Sequence, residues 1–212
     1  MLSTFVVGHR RPLSKGPQGR LACTVQRLGQ RFGMAVLFGM IVAASPARAE
    51  APATYFQRVA NELVAASRTN SPQAFAAVIR RHADVPYIGI ASLGSYARGL
   101  ASTDRPSYFS GMVNFIGRYA AQQSPKYPVA SAVAVSQTTE DKNGVYVDSR
   151  ITLKSGDTYD VRWWLVRNGA NFRVRDAQVA GFWMSPFLKT LFENYIEENG
   201  GNPKALVVAL NR

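Results

Sequence analysis

The chain has 212 residues and a formal net charge of +12, from 25 Lys/Arg against 13 Asp/Glu. One cysteine and two histidines leave no disulfide pair and too few soft ligands for a structural zinc site. Residues 1–49 hold seven of the basic residues and none of the acidic ones, so residues 50–212 carry 18 against 13, a net of +5. The high charge therefore says little about nucleic-acid binding, because much of the excess lies in residues 1–49.

The first 49 residues read as a secretory signal peptide with a long basic leader. The apolar run "MAVLFGMIVAA", residues 34–44, has 11 residues, against about 20 for a membrane span. Pro46 closes it, and Ala47-Arg48-Ala49 supplies the small-x-small pattern of a cleavage site. Cleavage before Glu50 would release the remainder into the periplasm. Those 163 residues suit one domain that buries roughly 70% of its unfolded surface.

Helical periodicity dominates the first part of that domain. "TYFQRVANELVAAS" places Phe56, Val59, Leu63 and Val64 on one face. Ser71-Pro72 marks an N-cap and first turn, opening "PQAFAAVIRRHA". "LGSYARGLA" predicts a short helix, and "SYFSGMVNFIGRYAAQQ" carries Phe109, Met112, Phe115, Ile116 and Tyr119 on one stripe. From Ala130 the period changes to 2. Four strands are predicted there, "ASAVAVSQ", "GVYVDSRITL", "TYDVRWWLVR" and "NFRVRDAQVA". Asn143-Gly144, Ser155-Gly156-Asp157 and Asn168-Gly169 separate them as turns, so the strands form an antiparallel meander. Ser185-Pro186 opens "FLKTLFENYIEEN" and Asn202-Pro203 opens "KALVVALNR", two closing helices. The order predicts an α+β fold.

Turn lengths predict a register. The loop 168–171 pairs Arg167 with Phe172, Leu165 with Val174 and Trp163 with Asp176. The loop 155–157 pairs Lys154 with Thr158, and therefore Ile151 with Val161 and Val147 with Leu165. One face then collects Val145, Val147, Ile151, Val161, Trp163, Leu165, Phe172 and Val174. The other carries Asp148, Arg150, Thr152, Asp160, Arg162, Trp164, Arg173 and Arg175. Such alternation marks a sheet with one wet face and one buried face, which the helices must cover. The interleaved acids make the wet face a cross-paired surface and not a nucleic-acid site.

Reactive groups are scarce. His82, at a helix end after Arg80-Arg81, is expected in solvent, capping carbonyls. Asp176 is predicted on the apolar face, where an inward carboxylate serves either as a general base or as an acceptor for the Trp163 indole or for backbone donors near a bulge.

The stretch "YDVRWWLVRNGANFRVRDAQVAGFWMSPFLKTLFENYIEENGGNPKALVVAL" resembles the end of the MlaC family, periplasmic phospholipid-binding auxiliaries of an ABC transporter. Phe172-Arg173-Val174-Arg175-Asp176 match that family's aromatic-basic-apolar-x-Asp strand, Gly181 its hinge and Phe192 its helix. Lys189 stands where the family has Arg. Upstream, Asp84, Ile88, Leu93, Gly94 and Arg98 match its Asp-apolar-x-x-Ile…Leu-Gly-x-x-x-Arg segment. Phe182-Trp183-Met184 departs from the family's smaller, Ser-containing segment, and a sister branch associated with hopanoids shares the architecture.

The resemblance implies an NTF2-like curved four-stranded antiparallel sheet covered by helices, with an apolar pocket between them. On this reading the lipid-facing candidates from the sheet are Val147, Ile151, Val161, Trp163, Leu165, Phe172 and Val174. The helical candidates are Phe109, Met112 and Phe115, and the post-hinge ones are Phe182, Trp183, Phe187 and Leu191. Arg98 and Lys189 would meet the headgroup. The implied partners are a phospholipid or related lipid such as a hopanoid, an inner-membrane ABC transporter complex of the MCE type and an outer-membrane lipoprotein complex. No cofactor, metal or nucleic acid is implied. An NTF2-like enzyme with Asp176 as base is the alternative from another class. The signal peptide carries a direct expectation: intact mass of the secreted protein should correspond to a chain beginning at Glu50, and a product retaining residues 34–44 would refute it.

Overall fold

A computed structural model describes residues 50–135 and 137–212; the expected signal peptide lies outside them. Six α-helices and a six-stranded antiparallel sheet make up the described part. The order is α1 (Pro52–Thr69), α2 (Pro72–His82), α3 (Val85–Leu93), two 3-10 turns (Gly94–Arg98 and Ser102–Asp104) and α4 (Arg105–Gln123). Then come β1 (Val129–Ala134), β2 (Thr139–Asp141), β3 (Gly144–Leu153), β4 (Thr158–Asn168), β5 (Asn171–Val179) and β6 (Phe182–Trp183), followed by α5 (Met184–Glu198) and α6 (Pro203–Leu210).

The helix starts follow their caps. Ser71 accepts from the Ala74 N–H to open α2, Asp84 accepts from the Tyr87 N–H to open α3, and Asn202 accepts from the Lys204 N–H to open α6. Pro72, Pro86 and Pro203 occupy first-turn positions, where a missing N–H costs nothing.

The sheet has six strands and not the four expected. The run after Ala130 is divided: β1 pairs with Ser149 to Leu153 of β3, while β2 pairs with its start, Gly144 to Tyr146. The two short strands thus succeed one another along a single edge of β3. Thr139-Glu140-Asp141 is exposed throughout, so it carries no apolar period to announce it. Its turn is held by Asp141, whose carboxylate accepts from the N–H groups of Asn143 (2.7 Å) and Gly144 (3.1 Å). At the opposite edge, β6 adds two residues to β5.

The β4–β5 register near the turn is as expected, Arg167 with Phe172 and Leu165 with Val174. Beyond it a bulge leaves Arg175 outside the pairing, so Asp176 lies opposite Trp164 in the outer row and not opposite Trp163. The β3–β4 register is displaced by two residues from the expectation, with Ile151 opposite Tyr159, Val147 opposite Trp163 and Val145 opposite Leu165. The reason is local. The turn is Lys154-Ser155-Gly156, closed by the Leu153 N–H to the Asp157 carbonyl, because its last position needs a positive φ and Gly156 (φ +96°) takes it. An even displacement keeps every side chain on its expected face. It also sets Arg162 directly across from Asp148 and Arg150 across from Asp160, at 2.6 and 2.9 Å.

Tyr55, Phe56, Val59 and Ala60 of α1 pack on the inner face against Val145, Val147, Leu165 and Phe172. A second cluster joins α3 to α6 around Tyr108, Met112, Phe192, Ile196 and Leu210. The buried stripe of α4 is turned from the expected one: Tyr108 and Val113 are buried while Tyr119 is half exposed. Small residues decide this. A Cβ added at Gly117 would lie 2.6 Å from the Pro72 carbonyl oxygen and 3.1 Å from the Ala76 nitrogen, so α2 and α4 cross backbone to backbone there. Gly117→Ala should therefore lower stability by about 1–3 kcal/mol, as overpacking does. Gly99→Ala, whose nearest neighbours lie at 3.5 Å, should leave the melting curve unchanged. Thermal denaturation of the two variants checks this.

Candidate functional site

Helices and sheet do not close on each other everywhere. Where the second half of α1 passes the end of α4, a cavity of about 270 Å3 remains. Ala60, Leu63, Val64 and Ser67 of α1, Phe75 of α2, and Ala120 and Gln123 of α4 line it on the helical side. Ser124, Tyr127, Val129, Ala132, Ile151 and Trp163 complete it. The space exists because Ala60, Ala120 and Ala132 stand where larger side chains would fill the gap. Leu63 and Val64, on the expected buried stripe of α1, are only half buried for the same reason.

The lining is apolar apart from Ser67, Gln123, Ser124 and Tyr127, and carries no ionisable acid or base other than the Tyr127 phenol. Both serine hydroxyls already have partners. The Ser67 hydroxyl donates to the Val64 carbonyl (2.8 Å) and the Ser124 hydroxyl to Asn70 Oδ1 (2.7 Å). The Trp163 indole N–H donates to Ser149 Oγ (2.9 Å), which donates on to the Val161 carbonyl (3.0 Å). An apolar concavity with a few polar groups is the usual form of a small-molecule site.

Of the expected lipid-facing residues, Ile151 and Trp163 line this cavity. Val147, Leu165 and Phe172 are buried in the core under α1, Val161 is buried and Val174 half buried, and none of the five lines the cavity. Phe109, Met112 and Phe115 belong to the helical cluster, with the Phe115 and Phe192 rings 5.7 Å apart. The block after Gly181 does not pack the helix–sheet seam. Phe182 is 74% exposed, Phe187 and Leu191 are exposed, and Trp183 rests on Trp164 of the outer face. The cause is the Ala180-Gly181 turn, both residues at positive φ, which folds β6 back on the sheet edge. Sequence reasoning missed Ala60, Leu63, Val64, Phe75, Ala120, Tyr127 and Ala132. Its available signal was alanine at inward positions of otherwise large-residue stripes.

Neither headgroup candidate lines the cavity. Lys189 Nζ pairs with Glu193 (3.2 Å), whose carboxylate also accepts from the Ser95 N–H (3.0 Å). That backbone donor and Lys189 hold the Glu193 carboxyl below its ordinary value despite partial desolvation. Gly94 makes the approach possible, since any Cβ there would overlap this carboxylate. Arg98 is exposed at the end of the same 3-10 turn.

Asp176 is engaged elsewhere. Its Oδ1 accepts from the N–H groups of Ala177 (2.8 Å) and Ser185 (3.1 Å), and through the latter it caps the start of α5. Backbone donors beside a bulge are its partners, and the Trp163 indole is not. Among the described residues no three His, Cys, Asp or Glu side chains gather as a metal site, and no helix is long and apolar enough to cross a membrane.

His82 is buried, 3% exposed, and not in solvent. Its Nε2 lies 3.0 Å from Glu62 Oε2 and its Nδ1 3.3 Å from the Tyr55 hydroxyl, which also reaches the His82 carbonyl (3.2 Å). A carboxylate only accepts, so Nε2 donates to Glu62. Arg81 pairs with the same Glu62 oxygen at 2.7 Å. This knot fixes α1 to the end of α2 and so fixes one cavity wall. Burial pushes the Tyr55 hydroxyl up to about 12.

The family model for "MlaC protein" matches residues 54–212. The chain belongs to the MlaC family. No curated protein matches it. Among solved structures, the phospholipid-binding protein from Ralstonia solanacearum, in complex with a phospholipid, is similar at a TM-score of 0.61 and 16% identity. The match covers 75% of this chain and 94% of that one. The fold of this MlaC member is thus the α+β arrangement of that structure, built here on a six-stranded sheet.

The knot makes stability pH-dependent. Burial raises the Glu62 carboxyl, but the hydrogen bond with His82, and then Arg81 and Arg58, outweigh it and leave the carboxyl below its ordinary value. A lowered folded-state value contributes stability that is present above the unfolded carboxylate pKa and lost as pH falls through the folded one. Glu62→Gln should therefore unfold more easily at neutral pH and show a flatter loss of stability on acidification than the parent. Urea unfolding across that acid range measures both effects.

Proposed function

We propose that residues 50–212 form a periplasmic lipid carrier that holds acyl chains in the cavity between α1, α4 and the sheet. The observation that carries this reading is the cavity itself: apolar, free of charged lining residues and on the inner face of the sheet. Membership of the MlaC family and the fold shared with a phospholipid-binding protein support it. The chain would shuttle phospholipid between the inner and outer membranes as the soluble component of an MCE-type ABC transport system, released by cleavage of the signal peptide. An inner-membrane transporter complex and an outer-membrane lipoprotein complex would be its partners.

The energetics suit carriage without chemistry. Each exposed methylene costs about 0.8 kcal/mol, so two acyl chains of roughly thirty methylenes cost about 24 kcal/mol in water. A protein cavity has only to match the bilayer for transfer to be near neutral. The cavity is smaller than the roughly 300–1,000 Å3 usual for ligand pockets, so two chains require its walls to part. Ser67, Gln123, Ser124 and Tyr127 then stand as the polar group nearest a headgroup, with exposed Arg68 and Lys126 next to them in sequence. These replace Arg98 and Lys189 as our headgroup candidates. The base reading of Asp176 gains no support, because its oxygens already accept from α5 and the residue lines no part of the cavity.

Ile151 and Arg150 are neighbours on β3 and face opposite sides of the sheet. Ile151→Glu would put a carboxylate into the apolar lining. The protein purified from cells should then lose most of its lipid, read by native mass spectrometry, while Arg150→Gln on the outer face retains it. Loss in both folded variants, or an unmodified protein that takes up no lipid from phospholipid vesicles, would reject the carrier reading.

A further inference from the structure

A second concavity, of about 430 Å3, lies on the outer face between the α2–α3 junction and the end of the β4–β5 hairpin. It shares no residue with the apolar cavity, so its role is independent of lipid carriage. Four arginines line it, Arg80, Arg167, Arg173 and Arg175, against one acid, Asp84. The fold builds this cluster from separate parts of the chain. The Asp84 N–H donates to the Val174 carbonyl (2.8 Å), and Ala83 bridges Val174, which clamps the α2–α3 junction onto β5. Arg173 lies across from Val166 in the outer row, and the bulge releases Arg175 from pairing.

The half-buried guanidiniums are held in place. Arg173 Nη1 donates to the carbonyls of Arg81 (2.6 Å) and Arg80 (3.4 Å). Arg175 donates to Asp84 Oδ2 (3.0 Å) and lies 4.1 Å over the Tyr87 ring. Two acids serve these arginines: Asp84 meets Arg175 with one oxygen and caps α3 with the other, and Glu140 pairs with Arg167 at 3.4 Å, which leaves the cluster with an excess of positive charge. A compact phosphate cradle at the start of α3 does not form either, since the Asp84 carboxylate already sits there and Pro86 has no N–H. What remains is a distributed set of cations beside an apolar strip of Val85, Pro86 and Val166.

Fixed arginines spaced along a half-apolar groove match an extended segment whose carboxylates and apolar side chains alternate. The net charge of +5 on residues 50–212 would steer such a segment inward. We propose that this groove receives an acidic segment of a partner protein, its carboxylates on Arg80, Arg167, Arg173 and Arg175 and its apolar side chains on Val85, Pro86 and Val166.

The test is fluorescence anisotropy with a labelled peptide alternating glutamate and valine. Saturable binding that weakens with added salt is expected, together with no binding of the matching lysine–valine peptide, a control that needs no variant. Arg80 and Arg167 are exposed, so R80Q/R167Q should fold and should lose about tenfold or more in affinity. R150Q/R162Q removes the same charge elsewhere on the outer face and should bind as the parent does. Absence of glutamate-peptide binding, or equal loss in both double variants, overturns the proposal. So does sedimentation with phosphatidylglycerol vesicles that R80Q/R167Q abolishes while peptide binding is absent, since the groove would then belong to a membrane surface.

Discussion

A sheet with one apolar face has to be covered, and α1 lying across β3, β4 and β5 is the contact on which the other features depend. Tyr55, Phe56, Val59 and Ala60 seal the first half of α1 onto Val145, Val147, Leu165 and Phe172. Burying large apolar side chains of this kind is worth about 1.5–3 kcal/mol each. That area alone does not choose where along the sheet the helix lies. The buried hydrogen bonds of Tyr55 and Glu62 with His82 do, because a displaced α1 would leave polar groups unsatisfied in the interior.

The cavity results from how α1 is anchored. One half of the helix is fixed by packing and by the His82 knot, while the other half faces alanines at positions 120 and 132 and cannot close on them. The same helix is therefore both roof and wall. Trp163 shows how the lining stays apolar: its one polar atom is spent on Ser149, inside the sheet, which leaves only the ring turned to the space. For an acyl chain this is a surface without competing hydrogen bonds, and for water it is a poor one.

The outer face obeys different physics. Ion pairs directly across β3 and β4, Arg162 with Asp148 and Arg150 with Asp160, keep that side wet and resist slippage. Toward the hairpin end arginines outnumber acids, as Arg80, Arg167, Arg173 and Arg175 gather against Asp84 and Glu140. The bulge at Arg175 has two consequences. It turns Asp176 to the start of α5, where the carboxylate accepts from the Ser185 N–H. It also frees a guanidinium to stack on Tyr87. One inserted residue thus shapes both the helix junction and the groove.

Much of this was legible in the residues alone. The change of period at Ala130, the proline-capped helix starts and the one-sided patterning of β3 to β5 are local properties, set by backbone geometry and solvation within a few residues. The faces survived a two-residue displacement of β3 against β4 because parity, unlike pairing, depends only on alternation. The pairing itself was decided by the positive φ of Gly156 and by charges across the strands. Other features had no local signal. An exposed Thr-Glu-Asp reads as loop until β3 offers it an edge, and His82 after two arginines reads as surface until Tyr55 and Glu62, from 27 and 20 residues away, enclose it. The aromatic block after Gly181 suggested a pocket, yet it faces outward, because hydrophobicity states a preference for burial without naming the neighbour. Residues 50–212 therefore carried the family, the longer strands, most of the helices and the apolar face in their sequence. The cavity's position, its alanine lining and the arginine groove came only from tertiary structure, since each is a gap or a cluster between segments far apart in the chain.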